Sequence, residues 1–243
     1  MLIAGFPAKF GTNCYVVAPG PGERCVVIDP GHNAMPGVED ILREHRLKPA
    51  AVIITHGHVD HMLSVTPICG AHDIPAYVHP DDRYMLTEPL RGSVFPGMTE
   101  RELAAMVGQK KFTEPSDVRK LKDGQALGLG LALGFDLVVG HAPGHTRGSV
   151  TFRLPRGANP ARQDPDVLFT GDLLLAGSVG RTDLPGGDPD AMLASLARVV
   201  LPLPDDTVVL AGHGPQTTVG RERVSNPGLK GLRDAGRRWQ VKG

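Results

Sequence analysis

From Thr55 to His61 the chain reads Thr-His-Gly-His-Val-Asp-His, which sets four metal-ligand side chains, His56, His58, Asp60 and His61, within six residues. Neutral imidazole suits zinc, copper, iron and nickel, and a carboxylate beside it extends the choice to harder ions. The run follows Ala51-Val52-Ile53-Ile54, whose apolar, β-branched character reads as a buried strand ending at Thr55. In an extended turn, residues two apart project to the same side, so His56 and His58 can face one ion. Gly57 between them leaves the backbone free to bend around it. A solvated His-rich turn is the ordinary alternative, but it gives no reason for three His and an Asp to follow a buried strand so closely.

The same design recurs along the chain. Val138-Val139 lead into Gly140-His141-Ala142-Pro143-Gly144-His145, Val167-Leu168-Phe169-Thr170 into Gly171-Asp172, and Val208-Val209-Leu210 into Ala211-Gly212-His213-Gly214. One Gly beside one His is common loop chemistry. Four apolar strands that each run into a candidate ligand point instead to a shared sheet edge where loops converge. His56, His58, Asp60, His61, His145, Asp172 and His213 then suffice for two ions of four or five ligands, once water and a bridging group are added. A structural zinc takes four ligands and has no use for seven.

In residue order and type this set resembles the metallo-β-lactamase superfamily: His-x-His-x-Asp-His at 56–61, then His145, Gly171-Asp172 and Gly212-His213. Asp29, in Val26-Val27-Ile28-Asp29-Pro30-Gly31, matches the early Asp of that family, and the likeness covers roughly residues 10 to 220. The resemblance implies an α/β (α+β) fold, a four-layer αββα sandwich of two mixed β-sheets flanked by helices, with metals at one open edge. It implies that His56, His58 and His145 hold a first metal, that Asp60, His61 and His213 hold a second, and that Asp172 bridges them. Asp29 would orient loops behind the ligands, although an Asp at a strand end is also an ordinary turn former. The implied cofactors are two divalent metal ions, Zn2+ in the first instance, with Fe or Mn as alternatives. Asp60 and Asp172 would act in catalysis through a shared hydroxide made available near neutral pH.

Composition fits a compact soluble enzyme. A length of 243 residues supports one large domain, taken as 1–243, with an insertion at about 80–115 and a short basic tail at about 221–243. Lys plus Arg and Asp plus Glu are 26 each, which argues against a nucleic-acid binder. The first 20 residues do not read as a signal peptide, and Leu127–Val139, broken by glycines and Asp136, is too short to span a membrane. The 3 cysteines, Cys14, Cys25 and Cys69, form no Cys-x-x-Cys and read as reduced, buried thiols of a cytoplasmic protein. Oligomeric state is left open.

Among the remaining elements, strands are predicted near Tyr15–Val17 and Cys25–Asp29, and a helix near Val38–Glu44. Thr99 with Glu102 makes a capping box for a helix through about Gln109. Asp188-Pro189 reads as N-cap and first turn of a helix with Leu193, Leu196 and Val200 on one face. Arg156–Pro165 reads as an exposed loop. Tyr84, Met85 and Met98 are either mouth residues of a pocket or satellite core, and the second is the commoner case. The basic run Arg221, Arg223, Lys230, Arg233, Arg237, Arg238 and Lys242, faced only by Glu222 and Asp234, reads first as a solvated helix face and otherwise as a collector of the carboxylates of an anionic thiol ester.

The stretch Gly177–Asp188 and the segment Gly220–Pro227 are similar to small glyoxalase II-like thioesterases. The resemblance implies a small-molecule thioester substrate, an S-2-hydroxyacyl thiol, with neither nucleic acid nor membrane as a partner. A Lys-x-Tyr pair used by full-length glyoxalase II for glutathione is replaced here by Arg181-Thr182-Asp183, and its helical C-terminal domain is missing. Arg181 is therefore the candidate substrate contact, unless it only ties down its loop by pairing with Asp183 or Asp188. Persulfide dioxygenases share the scaffold and the Gly-Arg-Thr-Asp stretch, so a mononuclear iron on His56, His145 and Asp172 is the alternative. A nucleic-acid hydrolase, a non-catalytic metal-binding module and an exported β-lactamase rank lower.

Overall fold

A computed structural model of the chain describes residues 1–92, 95, 97–157, 164–230 and 232. Strands β1 (Leu2–Pro7), β2 (Asn13–Ala18), β3 (Arg24–Ile28), β4 (Lys48–Ile53), β5 (Ala76–Val78) and β6 (Val118–Lys120) form one sheet in that order. The first three pair antiparallel and the rest parallel, so the sheet is mixed. Strands β7 (Val138–His141), β8 (Val150–Leu154), β9 (Val167–Gly171), β12 (Val208–Ala211) and β13 (Thr217–Thr218) form a second mixed sheet, ordered β13-β12-β9-β8-β7. A small hairpin, β10 (Leu174–Leu175) and β11 (Ser178–Val179), follows β9. The helices are α1 (Met35–His45), α2 (Val59–Met62), α3 (Val65–His72), α4 (Glu100–Val107), α5 (Gly128–Leu131), α6 (Pro189–Ser195) and α7 (Val219–Ser225).

Period-two alternation explains the layering. In β2, β3 and β4 the residues Tyr15, Val17, Val26, Ile28 and Ile53 turn inward to meet Val139, Phe152, Leu154 and Phe169 of the second sheet. Their neighbours Val16, Val27 and Val52 turn the other way and pack under Val38 and Leu42 of α1 and Ile68 of α3. On the far side Leu168 and Val209 meet Met192 and Val219 from α6 and α7, with Leu196 and Val200 just beyond α6. The result is helix, sheet, sheet, helix, as the resemblance implies. Phe152 and Phe169 are register partners at the centre of the middle layer, where truncation to Ala costs about 3–5 kcal/mol.

Three expectations are corrected or extended. Strand β1 lies outside the predicted set because its residues are only partly buried and Gly5 interrupts the pattern. That glycine is needed, since a Cβ there would lie 2.7 Å from Cδ1 of Tyr15. The capping box of Thr99 and Glu102 is present, but α4 stops at Val107 and Gly108 closes it with φ 70°, short of Gln109. After α6 the chain continues as a π-helical stretch, Leu196–Val200, and the buried face is Met192, Leu196 and Val200. Leu193 is 38% exposed, because a face advancing four residues at a time passes through 192 and not 193.

The 80–115 segment contributes two 3-10 turns and α4, and Leu103 with half-buried Met98 and Phe112 packs on Val59 and Leu63. Met85 and Tyr84 join the core under the first sheet, so Tyr84, Met85 and Met98 take the satellite-core role. In the basic run Arg223 is tied to Asp205 and to the carbonyls of Leu201 and Leu203. Arg233, Asp234, Arg237, Arg238 and Lys242 lie outside the described residues, as does the middle of the Arg156–Pro165 loop. Among the described residues no helix is long and apolar enough to cross a membrane.

Candidate metal centre

The strands that end in candidate ligands belong to both sheets. β4 of the first sheet delivers His56, His58, Asp60 and His61, whereas β7, β9 and β12 of the second lead to His145, Asp172 and His213. The expectation of one sheet edge is therefore corrected to a common rim of two sheets. Two bonds join the sheets at that rim, Val150 N donating to Thr55 O at 2.8 Å and Asn13 N to Gly212 O at 2.7 Å, and Gly212 N donates to Gly171 O at 2.8 Å within the second sheet. The Tyr15 hydroxyl donates to Ala211 O at 2.7 Å across the sandwich.

All seven residues meet there. The donor atoms of His56, His58 and His145 lie within 4.8 Å of one another, as do those of Asp60, His61 and His213, and those of His56, His61 and Asp172. Asp172 stands between the first two groups, with Oδ2 3.6 Å from His145 Nε2 and 3.7 Å from His213 Nε2, and Oδ1 3.6 Å from His61 Nε2. His213 Nε2 is 3.0 Å from Asp60 Oδ2 and 3.3 Å from His61 Nε2.

Four of these rings are held in one tautomer from behind. His145 Nδ1 donates to Arg181 O at 2.7 Å, His213 Nδ1 to Gly11 O at 3.1 Å, and His61 Nδ1 to Asp29 Oδ2 at 3.0 Å. His56 Nδ1 donates to Thr55 Oγ1 at 3.1 Å, and that hydroxyl donates in turn to Asp29 Oδ2. Each ring thereby turns Nε2 toward the rim, the arrangement that orients imidazole for a metal. The Nε2 atoms of His56, His58 and His145, with Asp172 Oδ1, are buried without a hydrogen-bond partner. Buried polar atoms without a partner are costly, and cations bound between these donors would satisfy them. The donor set of imidazole and carboxylate fits zinc, iron or manganese.

Electrostatics agree. Burial, reinforced by neighbouring imidazoles, holds His56 well below its ordinary pKa and His58 down to about 3, so both rings are neutral at neutral pH. Burial also lowers His145. Burial alone would lower His61, but Asp60, Asp172 and Asp29 outweigh it and push it up to about 10. Burial would raise Asp60, but His61 and the hydrogen bond to His213 keep it well below the usual carboxylate range. The negative charge that raises His61 is a field that also favours a cation.

Two predicted residues need comment. Asp29, 2% exposed with φ 48°, hydrogen-bonds Thr55 and His61 and is no ordinary turn former. Arg181 pairs in the open with Asp183 at 2.7 Å, while its carbonyl holds His145. Sequence reasoning missed Asp82. It is 1% exposed, and its carboxylate accepts from Gly57 N at 2.8 Å, Thr146 Oγ1 at 2.6 Å and Gly148 N at 2.8 Å. Burial lifts its carboxyl above the usual value although those donors pull the other way. It ties the His56–His58 turn to the His145 loop, and only a position between turn residues marked it in the sequence. Thr12, which donates to Asp60 Oδ2 at 3.0 Å, was missed for the same reason.

A sandwich of two mixed sheets with a His/Asp cluster at its rim is the build of a metal-dependent hydrolase. The metallo-beta-lactamase superfamily model matches residues 8–213, and the chain belongs to that superfamily. It is 46% identical over 234 residues to an uncharacterized protein of Mycobacterium tuberculosis, covering 96% of this chain and 99% of that one. It is 30% identical over 224 residues to the hydroxyacylglutathione hydrolase GloC of Haemophilus influenzae, covering 90% and 93%. Among solved structures, the B3 metallo-beta-lactamase BLEG-1 superposes with TM-score 0.75 at 35% identity, covering 94% of this chain and 100% of the other. The protein TTHA1623 in a di-iron-bound form gives 0.71 at 36%, covering 93% and 99%.

Proposed function

We propose that the chain is a binuclear thioester hydrolase acting on S-2-hydroxyacyl thiol esters, with His56, His58 and His145 as one ligand set, Asp60, His61 and His213 as the other, and Asp172 shared. The observation that carries this reading is the pair of donor triads facing a single carboxylate. When bound, the ions supply a Lewis acid for the carbonyl and activate water near neutral pH. Zinc is our first choice of metal; the di-iron form of TTHA1623 keeps iron as an alternative.

The chain's own groups favour water over a side-chain nucleophile. Thr12, Thr55 and Thr146 adjoin the ligands, and each hydroxyl donates to a buried carboxylate: Asp60, Asp29 and Asp82 respectively. The three cysteines are buried, with thiols held protonated by that burial. His213, with 30% of its side chain exposed, marks the side from which substrate enters. Arg181, on the loop behind His145, is assigned to the anionic thiol carrier, its exposed pair with Asp183 being one that substrate can exchange. The relationship to GloC supports the thioester class. A small thioester, no nucleic acid and a cytoplasmic setting complete the reading.

The test is release of free thiol from an S-lactoyl thioester by zinc- or manganese-loaded protein without oxygen. His213→Ala should abolish most of that activity, since this ring serves only the second set, but need not abolish oxygen uptake by an iron-loaded enzyme. Rapid oxygen consumption with glutathione persulfide and no thioester turnover under any metal would promote the dioxygenase. Turnover of a chromogenic β-lactam alone would equally overturn the proposal.

A further inference from the structure

We propose that His79, Asp81 and His141 form an additional, peripheral site for a divalent transition metal of zinc-like ligand preference. His79 directly follows β5 in the first sheet, and His141 is the last residue of β7 in the second. Their rings stack with centroids 4.1 Å apart and planes 6° apart. Donor atoms of these two rings and of Asp81 lie within 4.8 Å of one another. His79 Nδ1 is 3.7 Å from Asp81 Oδ2, near the roughly 3.3 Å that separates two ligands with bonds of about 2.0–2.1 Å across a tetrahedral angle.

Stacked imidazoles alone are a packing contact, and three further features point to an ion. First, His141 Nε2 donates to Arg147 O at 2.9 Å, which fixes the tautomer and leaves the Nδ1 lone pair free, the same device that orients the rings of the main centre. Second, the carboxylates of Asp81, Asp82 and Asp123 all lie near enough to act on His79 as negative charges, although Asp123 is itself paired with Arg198 at 3.3 Å. Third, the site is partly sheltered and partly open. The His79 side chain is 13% exposed and that of Asp81 57%, which leaves an entry and room for a water as fourth ligand. Coordination requires the rings to tilt out of their stack, and His79 Nδ1 to give up the long 3.4 Å hydrogen bond it accepts from Asp81 N, so that both lone pairs reach one ion. The ion would then bond residues from both sheets beside the Asp82 clamp and hold the loops together without joining the reaction. This proposal is independent of the thioester reading.

Protein saturated at the main centre is titrated with zinc alone against a chromophoric chelator, beside His79→Gln and His141→Gln. The wild type should take up one equivalent more than either variant. Its Tm should rise by about 5 to 10 °C at a hundredfold excess over the Kd of that equivalent, and the variants should show no such rise. With Cu2+ in place of zinc, nitrogen hyperfine splitting from two imidazoles is expected. Asp81→Asn, a surface change that leaves the fold intact, should weaken the extra equivalent by at least about tenfold. Absence of that equivalent from the wild type, or its persistence in both His variants, would overturn the proposal as adventitious surface binding.

Discussion

Replacing Asp82 by Asn tests whether the buried clamp, rather than the ligands alone, builds the centre. The substitution keeps the shape, but only one oxygen remains to accept. If that oxygen keeps Gly57 N and Thr146 Oγ1, the new amide faces Gly148 N, and two donors oppose each other in a place with 1% exposure. One lost charge-assisted hydrogen bond costs about 1.5–3 kcal/mol and one buried unsatisfied donor about 1–3, which together suggest a loss of about 3–5 kcal/mol. For a chain of this size that corresponds to a fall in Tm of about 6 to 20 °C. Gly57 lies between His56 and His58, and Thr146 follows His145, so all three rings should lose their relative placement. Zinc affinity should fall about 10- to 100-fold, as when other supporting partners of metal ligands are removed. Urea unfolding of the stripped protein measures the first quantity, and competition with a chelator the second. A stability change below about 1 kcal/mol together with unchanged zinc affinity would refute the role given to Asp82.

Asp172→Asn, which removes charge but not volume, should lower thioester hydrolysis by at least about 1000-fold; a loss under tenfold at unchanged metal content would place the residue outside the reaction centre. Treatment with dipicolinate should abolish hydrolysis and lower Tm, and added zinc or manganese should restore both; activity that survives complete stripping would remove metal from the mechanism. Burial pushes the thiols of Cys25 and Cys69 up to about 12 and that of Cys14 well above its usual value. Because a raised pKa leaves almost no thiolate at pH 8, a thiol reagent should label fewer than one of the three in the folded protein and all three after unfolding. Rapid labelling of the folded chain would contradict the packing of β2, β3 and α3.

The sequence made the candidate ligand residues legible because their chemistry is rare and their spacing short. His56, Gly57 and His58 after an apolar strand have few other uses, and Gly-Asp or Gly-His at three later strand ends repeats the same logic. The two-sheet layering came from the resemblance, since apolar runs such as Val26–Ile28 say that both faces are buried but not by what. What escaped notice was support. Asp82 and Thr12 are ordinary turn residues in sequence, and their roles arise only where the chain brings Gly148 or Asp60 beside them. The edge strand β1 escaped because partial burial and Gly5 blur its alternation. Leu193 was misplaced because the choice between a face through 193 and one through 192 rests on a π-helical stretch that side-chain pattern does not announce.

Each donor set draws on distant parts of the chain. His61 and His213 are 152 positions apart, and Asp60 and His213 are 153 apart. An ion held by such residues binds the folded chain far better than the unfolded one, where its ligands are scattered, so its binding free energy adds to stability. Closing a loop on that scale with a permanent bond removes denatured-state entropy worth on the order of 4–5 kcal/mol. The three cysteines form no disulfide, so no covalent tie does this work. Metal supply would therefore set how stable the folded chain is as well as whether it turns over substrate, the loaded protein unfolding at a higher temperature than the stripped one.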